Sequence, residues 1–191
     1  METELESWGL EAPQKAVPSF TFSSGLTVGI QRVNPQFIAK VRAAARQQYH
    51  AKSGELKPPT FAVELAGGAL EVKPHTEDTV KLEPWATDAD VQTAWHKWKT
   101  WQYGQTFEDV RATVRATVLR GVVDDAPPQK WLDERAYFGL EIPEKPLDLK
   151  WEWLFDASTG WDEMLRLARE IQSLPSELEA LAAMAAEGFR R

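Results

Sequence analysis

The stretch from Ser19 to Lys52 constrains the fold of this chain more than any other. Phe20, Phe22, Leu26, Val28 and Ile30 alternate with polar or small residues around Ser24-Gly25. A two-residue period puts alternate side chains on one face of a strand, and a turn pair between two such runs predicts a short β-hairpin. Asn34-Pro35 then signals a helix start. The Asn side chain can accept a backbone N–H, and proline at the first helical position lacks only an N–H that the helix leaves unpaired. Ile38, Val41, Ala45 and Tyr49 recur at helical spacing, with Lys40 and Gln47 opposite, and the pattern stops near Gly54.

The chain around this unit sorts into three regions. Residues 1–16 carry Glu2, Glu4, Glu6 and Glu11 with little to bury, and read as a flexible acidic arm. Residues 17–84 read as hairpin, helix and second hairpin. In the second hairpin, Pro58-Pro59 holds the chain extended, Phe61, Val63 and Leu65 alternate, Gly67-Gly68 supplies the turn, and Leu70 and Val72 lie on the return strand.

Residues 85–191 read as helical. Asp88 or Asp90 opens a helix through Trp95, Trp98 and Trp101. Thr106 caps a separate helix with the echo RATVRATV, which sets Arg111 beside Arg115 and Val114 beside Val118 before Gly121 ends it. Pro127-Pro128 opens a short helix through Trp131 and Leu132, closed by Gly139, and LDLKWEWLF follows Pro143 and Pro146. Two amphipathic helices come last. One carries Trp161, Met164, Leu165, Ala168 and Ile171; the other has Ser176 and Glu179 in capping-box spacing, with Leu178, Leu181, Ala182, Ala185 and Phe189 on its apolar face. The expected class is α+β, mainly α, with short N-terminal β-hairpins followed by a small multi-helix bundle.

Composition narrows the function. A chain of 191 residues buries roughly 70% of its unfolded surface and needs no staples. The absence of cysteine removes disulfides, thiolate zinc sites and cysteine nucleophiles, and fits a reducing cytoplasm. The N-terminus has no signal-peptide core and no apolar run nears the ~18 residues of a membrane span, so a soluble protein with no membrane partner is expected. A net charge of −7 argues against a nucleic-acid partner. That charge is uneven: residues 31–57, with Arg32, Lys40, Arg42, Arg46, Lys52 and Lys57 against Glu55, hold +5 and leave −12 elsewhere. The segment reads either as a docking face for an acidic partner, with Arg42 and Arg46 on it, or as a solvated face balanced by the chain's own acids.

Catalytic patterns are missing. His50, His75 and His96 lack a partner ligand at helical spacing, so no metal is expected. The glycines lack phosphate-cradling spacing, no serine sits in a G-x-S-x-G context, and no cofactor is implied. Asp124-Asp125 and Asp133-Glu134 read as solvated pairs. A non-enzymatic protein is the expectation.

Nine tryptophans are several times the usual number. Trp95, Trp98 and Trp101, at i, i+3 and i+6 with Val91 and Ala94 on the same face, read either as a bundle seam or as an aromatic platform with an open edge. Trp151 and Trp153, two apart on a helix, cannot share a face, so one belongs to a surface. The expected protein-binding groove combines Trp95, Trp98 and Trp101 with Trp161, Leu165, Leu178 and Leu181.

The run FTFSSGLTVGIQRVNPQFIAKVRAAARQQY resembles the opening of tail assembly chaperones of long-tailed bacteriophages, and PPTFAVELAGGALEVKPH and LRGVVDDAPPQKWLDERAYFGLEIPEKPLDLKWEWLF look like phage tail-region proteins. The resemblance implies a mostly helical, non-enzymatic protein that binds the tape measure protein and assists tail tube assembly in the host cytoplasm. Self-association into a homo-oligomer is a further expectation. Two other readings stay open: a structural virion component of the tail or neck, and a tryptophan-lined ligand- or sugar-binding module.

Overall fold

The computed structural model describes residues 17–176. The expected acidic arm lies outside them, as do Leu178, Glu179, Leu181, Ala182, Ala185 and Phe189. In chain order the elements are β1 (Ser19–Thr21), β2 (Thr27–Gly29), α1 (Pro35–Ser53), β3 (Thr60–Glu64), β4 (Leu70–Pro74), a 3-10 turn (Thr79–Lys81), α2 (Ala89–Gly121), α3 (Gln129–Tyr137), α4 (Pro146–Ala157) and α5 (Trp161–Ser173). The fold is α+β and mainly α, with two small antiparallel hairpins.

Packing divides the described residues into two compact units, one formed by residues 17–38 with 114–176 and the other by Ala39–Thr113. The sequential division at 84/85 does not coincide with this one. Where two helices with a break at Thr106 were expected, α2 runs unbroken for 33 residues. The Thr106 hydroxyl donates back to the Gln102 carbonyl at 3.0 Å instead of capping a new helix. Gly104 is accommodated because Tyr49, from α1, occupies the space its missing Cβ leaves.

In the first unit β1 and β2 pair with Phe20 opposite Val28. The Phe22 amide donates to the Leu26 carbonyl at 2.8 Å and the Gly25 amide to the Phe22 carbonyl at 2.9 Å, closing a three-residue loop. Its third residue, Gly25, has φ of +89°, which a side chain would oppose. Beyond the hairpin, Ile30 bridges Val122 in the segment leaving α2. The inward face of the hairpin (Phe20, Phe22, Val28, Ile30) joins Val114, Val118, Val122, Trp153, Leu154, Met164, Leu167 and Ile171 in one core. Met164, Leu167 and Ile171 are fully buried at i, i+3 and i+7 of α5, each contributing about 1.5–3 kcal/mol by burial. Helix α3 ends in a Schellman motif: the Leu140 amide donates to the Arg135 carbonyl at 2.9 Å and the Gly139 amide to the Ala136 carbonyl at 3.1 Å, with Gly139 at φ +66°.

Asn34, still in the first unit, starts α1 as expected, its Oδ1 accepting the Gln36 amide at 2.8 Å. Val41, Ala45 and Tyr49 are half-buried along the stripe. Asp88 is the cap of α2, its Oδ1 accepting the Asp90 and Val91 amides, each at 3.0 Å. Strands β3 and β4 pair with Ala62 opposite Val72. Phe61 packs on Trp85 and on the buried ring of His75, with centroids 4.6 Å away in both cases, while β4 is exposed along its whole length.

Candidate functional site

The residues singled out in the sequence are spread over both units and beyond the described residues. Trp95, Trp98 and Trp101 belong to the second unit, whereas Trp161 and Leu165 pack against the core of the first. Leu178 and Leu181 lie outside the described residues. Within the trio, the Trp95 and Trp98 rings meet at 4.8 Å with a tilt of 41°, and Lys99 Nζ lies 5.2 and 5.3 Å from their centroids. Trp101 turns elsewhere. Its Nε1 donates to the Gly54 carbonyl at 2.9 Å, and its ring meets Tyr49 and His50 at the end of α1. All three are half-buried, and Ala94 beside them is exposed, so they do not form a buried seam.

The arginines of α1 are engaged internally. Arg46 Nε donates to Asp109 Oδ2 at 2.6 Å, and Arg42 Nε donates to Thr113 Oγ1 at 3.2 Å. Both partners are on α2; Asp109 is one of the chain's own acids, whereas Thr113 carries no charge. Asp124 and Asp125 divide. Asp125 is almost wholly exposed while contacting Lys150 Nζ at 3.2 Å, and Asp124 Oδ2 accepts the Gly29 amide at 2.9 Å. Buried Lys150 also donates to the Val122 carbonyl at 2.7 Å, tying α4 to the segment after α2.

A different feature of the first unit has the character of a binding surface. Between the tip of the β1–β2 hairpin, α3 and α4 lies a cleft of about 520 Å³. Leu26, Pro128, Phe138, Leu140 and Trp153 contribute its apolar walls. Its polar corner is self-satisfied: Arg135 Nη1 donates to Asp156 Oδ2 at 2.6 Å, Trp131 Nε1 donates to the same oxygen at 3.2 Å, and the Arg135 guanidinium lies 4.9 Å from the Trp131 centroid. Arg135 also donates to the Glu141 carbonyl at 2.7 and 3.1 Å, which fixes the loop after α3. The rim is apolar and open. Phe138 (70% exposed) and Leu140 (51%) line the cleft, and in the same stretch of chain Tyr137 is 85% exposed, Ile142 38% and Leu147 62%. Sequence reasoning placed this segment on a helix end and a proline-punctuated loop and assigned it no role. The available signal was the density of large apolar residues after the Gly139 stop.

The strongest perturbation of an acid in the described residues is at Glu163, and it is structural. Its Oε2 accepts the Thr159 amide at 2.8 Å, and its Oε1 accepts the Ser23 amide and hydroxyl at 2.8 and 2.7 Å and an Arg166 N–H at 2.7 Å. The Thr159 amide, with the Ser23 donors, outweighs desolvation and holds the carboxyl down at about 2, against an ordinary 4.5. Such a group stays ionised and cannot serve as a proton carrier near neutrality. Among the described residues no group of three or more His, Asp or Glu side chains converges to hold a metal ion. No described helix is long and apolar enough to cross a membrane. No protein-family model, curated protein or solved structure matches the chain.

Proposed function

We propose that this chain is a non-enzymatic assembly factor that seats an amphipathic helix of another protein on the α3–α4 cleft and its rim. The observation that supports this is the exposed run Tyr137, Phe138, Leu140, Ile142 and Leu147, of which Phe138 and Leu140 line a cleft where Arg135 and Asp156 already pair with each other. Apolar side chains presented together to water mark a surface meant to be covered. An amphipathic helix offers anchors at i, i+3, i+4 and i+7, so one anchor can fill the cleft while its neighbours lie on the rim. The sequence resemblance supplies the client: the tape measure protein of a long-tailed phage, whose long helices need cover before the tube forms.

Calorimetric titration of tape measure helical segments into the purified chain tests this. Phe138→Asp and Leu140→Asp weaken binding at least tenfold while leaving thermal stability within about 0.5 kcal/mol, since both side chains are exposed. Unchanged affinity in both variants removes the cleft from the proposal, and no binding by any tape measure segment removes the client. Recovery of the chain from purified particles would replace the chaperone reading with a structural virion role.

A further inference from the structure

Strand β4 pairs with β3 and, among the described residues, with nothing else. The hydrogen bonds at the two ends of the ladder fix its phase. The Leu65 amide donates to the Ala69 carbonyl at 2.8 Å, and the His75 amide donates to the Pro59 carbonyl at 2.8 Å. In an antiparallel ladder hydrogen-bonded pairs alternate with unbonded ones, so residues 69, 71, 73 and 75 turn their peptide groups toward β3. Leu70, Val72 and Pro74 turn theirs outward. Proline, which has no N–H to offer, therefore sits at an outward position, as an edge strand allows.

We infer that β4 is a self-recognition edge, pairing antiparallel with β4 of a second copy about a two-fold axis at Val72. In that register each Val72 donates to and accepts from its counterpart, and the Leu70 amide donates to the Pro74 carbonyl of the other copy. Glu71 then stands opposite Lys73 of the second copy, and Lys73 opposite its Glu71. The two side chains already lie on one face of the strand, meeting at 2.9 Å with about half of each exposed. Centring the axis on Leu70 forfeits both ion pairs, and a parallel in-register pairing sets Glu71 against Glu71 and Lys73 against Lys73. Strand β3 carries Glu64 and no cation, so its own edge has no such complement. On the opposite face the exposed Leu70 and Val72 of the two copies become neighbours in a four-stranded sheet, β3-β4-β4-β3. The occupant of this edge is a second copy of the chain.

Sedimentation equilibrium of the full chain over a wide concentration range, with charge-swapped variants, tests the inference. Wild type shows a monomer–dimer equilibrium. Glu71→Lys alone and Lys73→Glu alone weaken it roughly tenfold or more, because each replaces two attractive cross-strand pairs by two repulsive ones. The double variant Glu71→Lys/Lys73→Glu restores dimerisation, and mixing the two single variants yields a heterodimer. Circular dichroism and thermal melting confirm that every variant is folded. A wild type that stays monomeric overturns the inference, as does a dimer indifferent to the single changes. Folded double variants that remain monomeric overturn the register.

Discussion

Gly121→Ala separates packing from helix propensity by the sign of its effect. Gly121 is the last residue of α2 and is buried. Replacing glycine by alanine within a helix ordinarily stabilises by up to about 1 kcal/mol, and less at the end. Here a Cβ at residue 121 would stand 2.5 Å from Ile171 Cγ2, 2.7 Å from Cδ1 and 3.0 Å from Cγ1. Carbon pairs prefer about 3.5–4.0 Å, so the closest approach is about 1 Å too short. Ile171 is fully buried against the core, not a loose surface chain that can swing aside. Overpacking of this kind costs about 1–3 kcal/mol, which leaves a net destabilisation of about 1–2 kcal/mol after the propensity gain.

For a chain of this length each kcal/mol moves Tm by about 2–4 °C, so the variant melts roughly 2–8 °C lower, whereas propensity alone would raise Tm. A double-mutant cycle with Ile171→Ala sharpens the test. That substitution alone costs about 2–5 kcal/mol through its cavity, but the new methyl at 121 partly fills the same space. The double variant is therefore more stable than the sum of the singles by about 1 kcal/mol or more. A rise in Tm for Gly121→Ala, or additivity within about 0.5 kcal/mol, refutes the close packing of α2 on α5.

Two further outcomes follow from the buried charges. Glu163 is held at about 2 in the folded chain against 4.5 ordinarily, so its contribution is fully present above pH 4.5 and is lost as the pH falls toward 2. In urea titrations Glu163→Gln is less stable than wild type at pH 7, and the gap closes between pH 4.5 and 2; a gap that persists unchanged to pH 2 refutes the latch. Lys150→Met strands the Val122 carbonyl and costs about 1–3 kcal/mol, whereas Asp125→Asn stays within about 1 kcal/mol because the acid is solvated. Equal effects of the two in thermal melts would show that the ion pair, not the carbonyl bond, matters.

The elements legible in the sequence are those whose causes lie within a few residues. The alternation around Ser24-Gly25, the Asn34-Pro35 start, the Gly139 stop and the apolar stripe of α5 each produce what their local chemistry implies. The continuity of α2 is not of that kind. Thr106 looks like the cap of a new helix because nothing nearby in the sequence shows that Tyr49, on another helix, packs where Gly104 lacks a side chain. The Glu163 latch is hidden for the same reason: its Ser23 donors are 140 residues away in the chain. Arg42 and Arg46 look like a free basic face until α2 supplies Thr113 and Asp109. Local signals fix where elements start and stop; long-range partners decide which polar groups remain for function.

The tryptophans show how a reading from composition and a reading from exposure favour different helices as a binding surface. Of the eight described, Trp153 alone is buried, and the rest are half-covered. An indole is too large and too polar at one edge to bury cheaply, so it settles where its ring can seal a junction while its N–H finds an acceptor. Trp101 does so at the end of α1 through the Gly54 carbonyl, and Trp131 does so between α3 and α4 through Asp156. Trp151 meets Trp161 at 6.4 Å and Arg115 at 5.5 Å. Rings with these internal partners lose contacts if a client displaces them. Tyr137, Phe138 and Leu140, mostly open to water, have area to gain from being covered. Binding energy is therefore expected from the ordinary apolar residues after α3, while the conspicuous aromatic ones hold the short helices together.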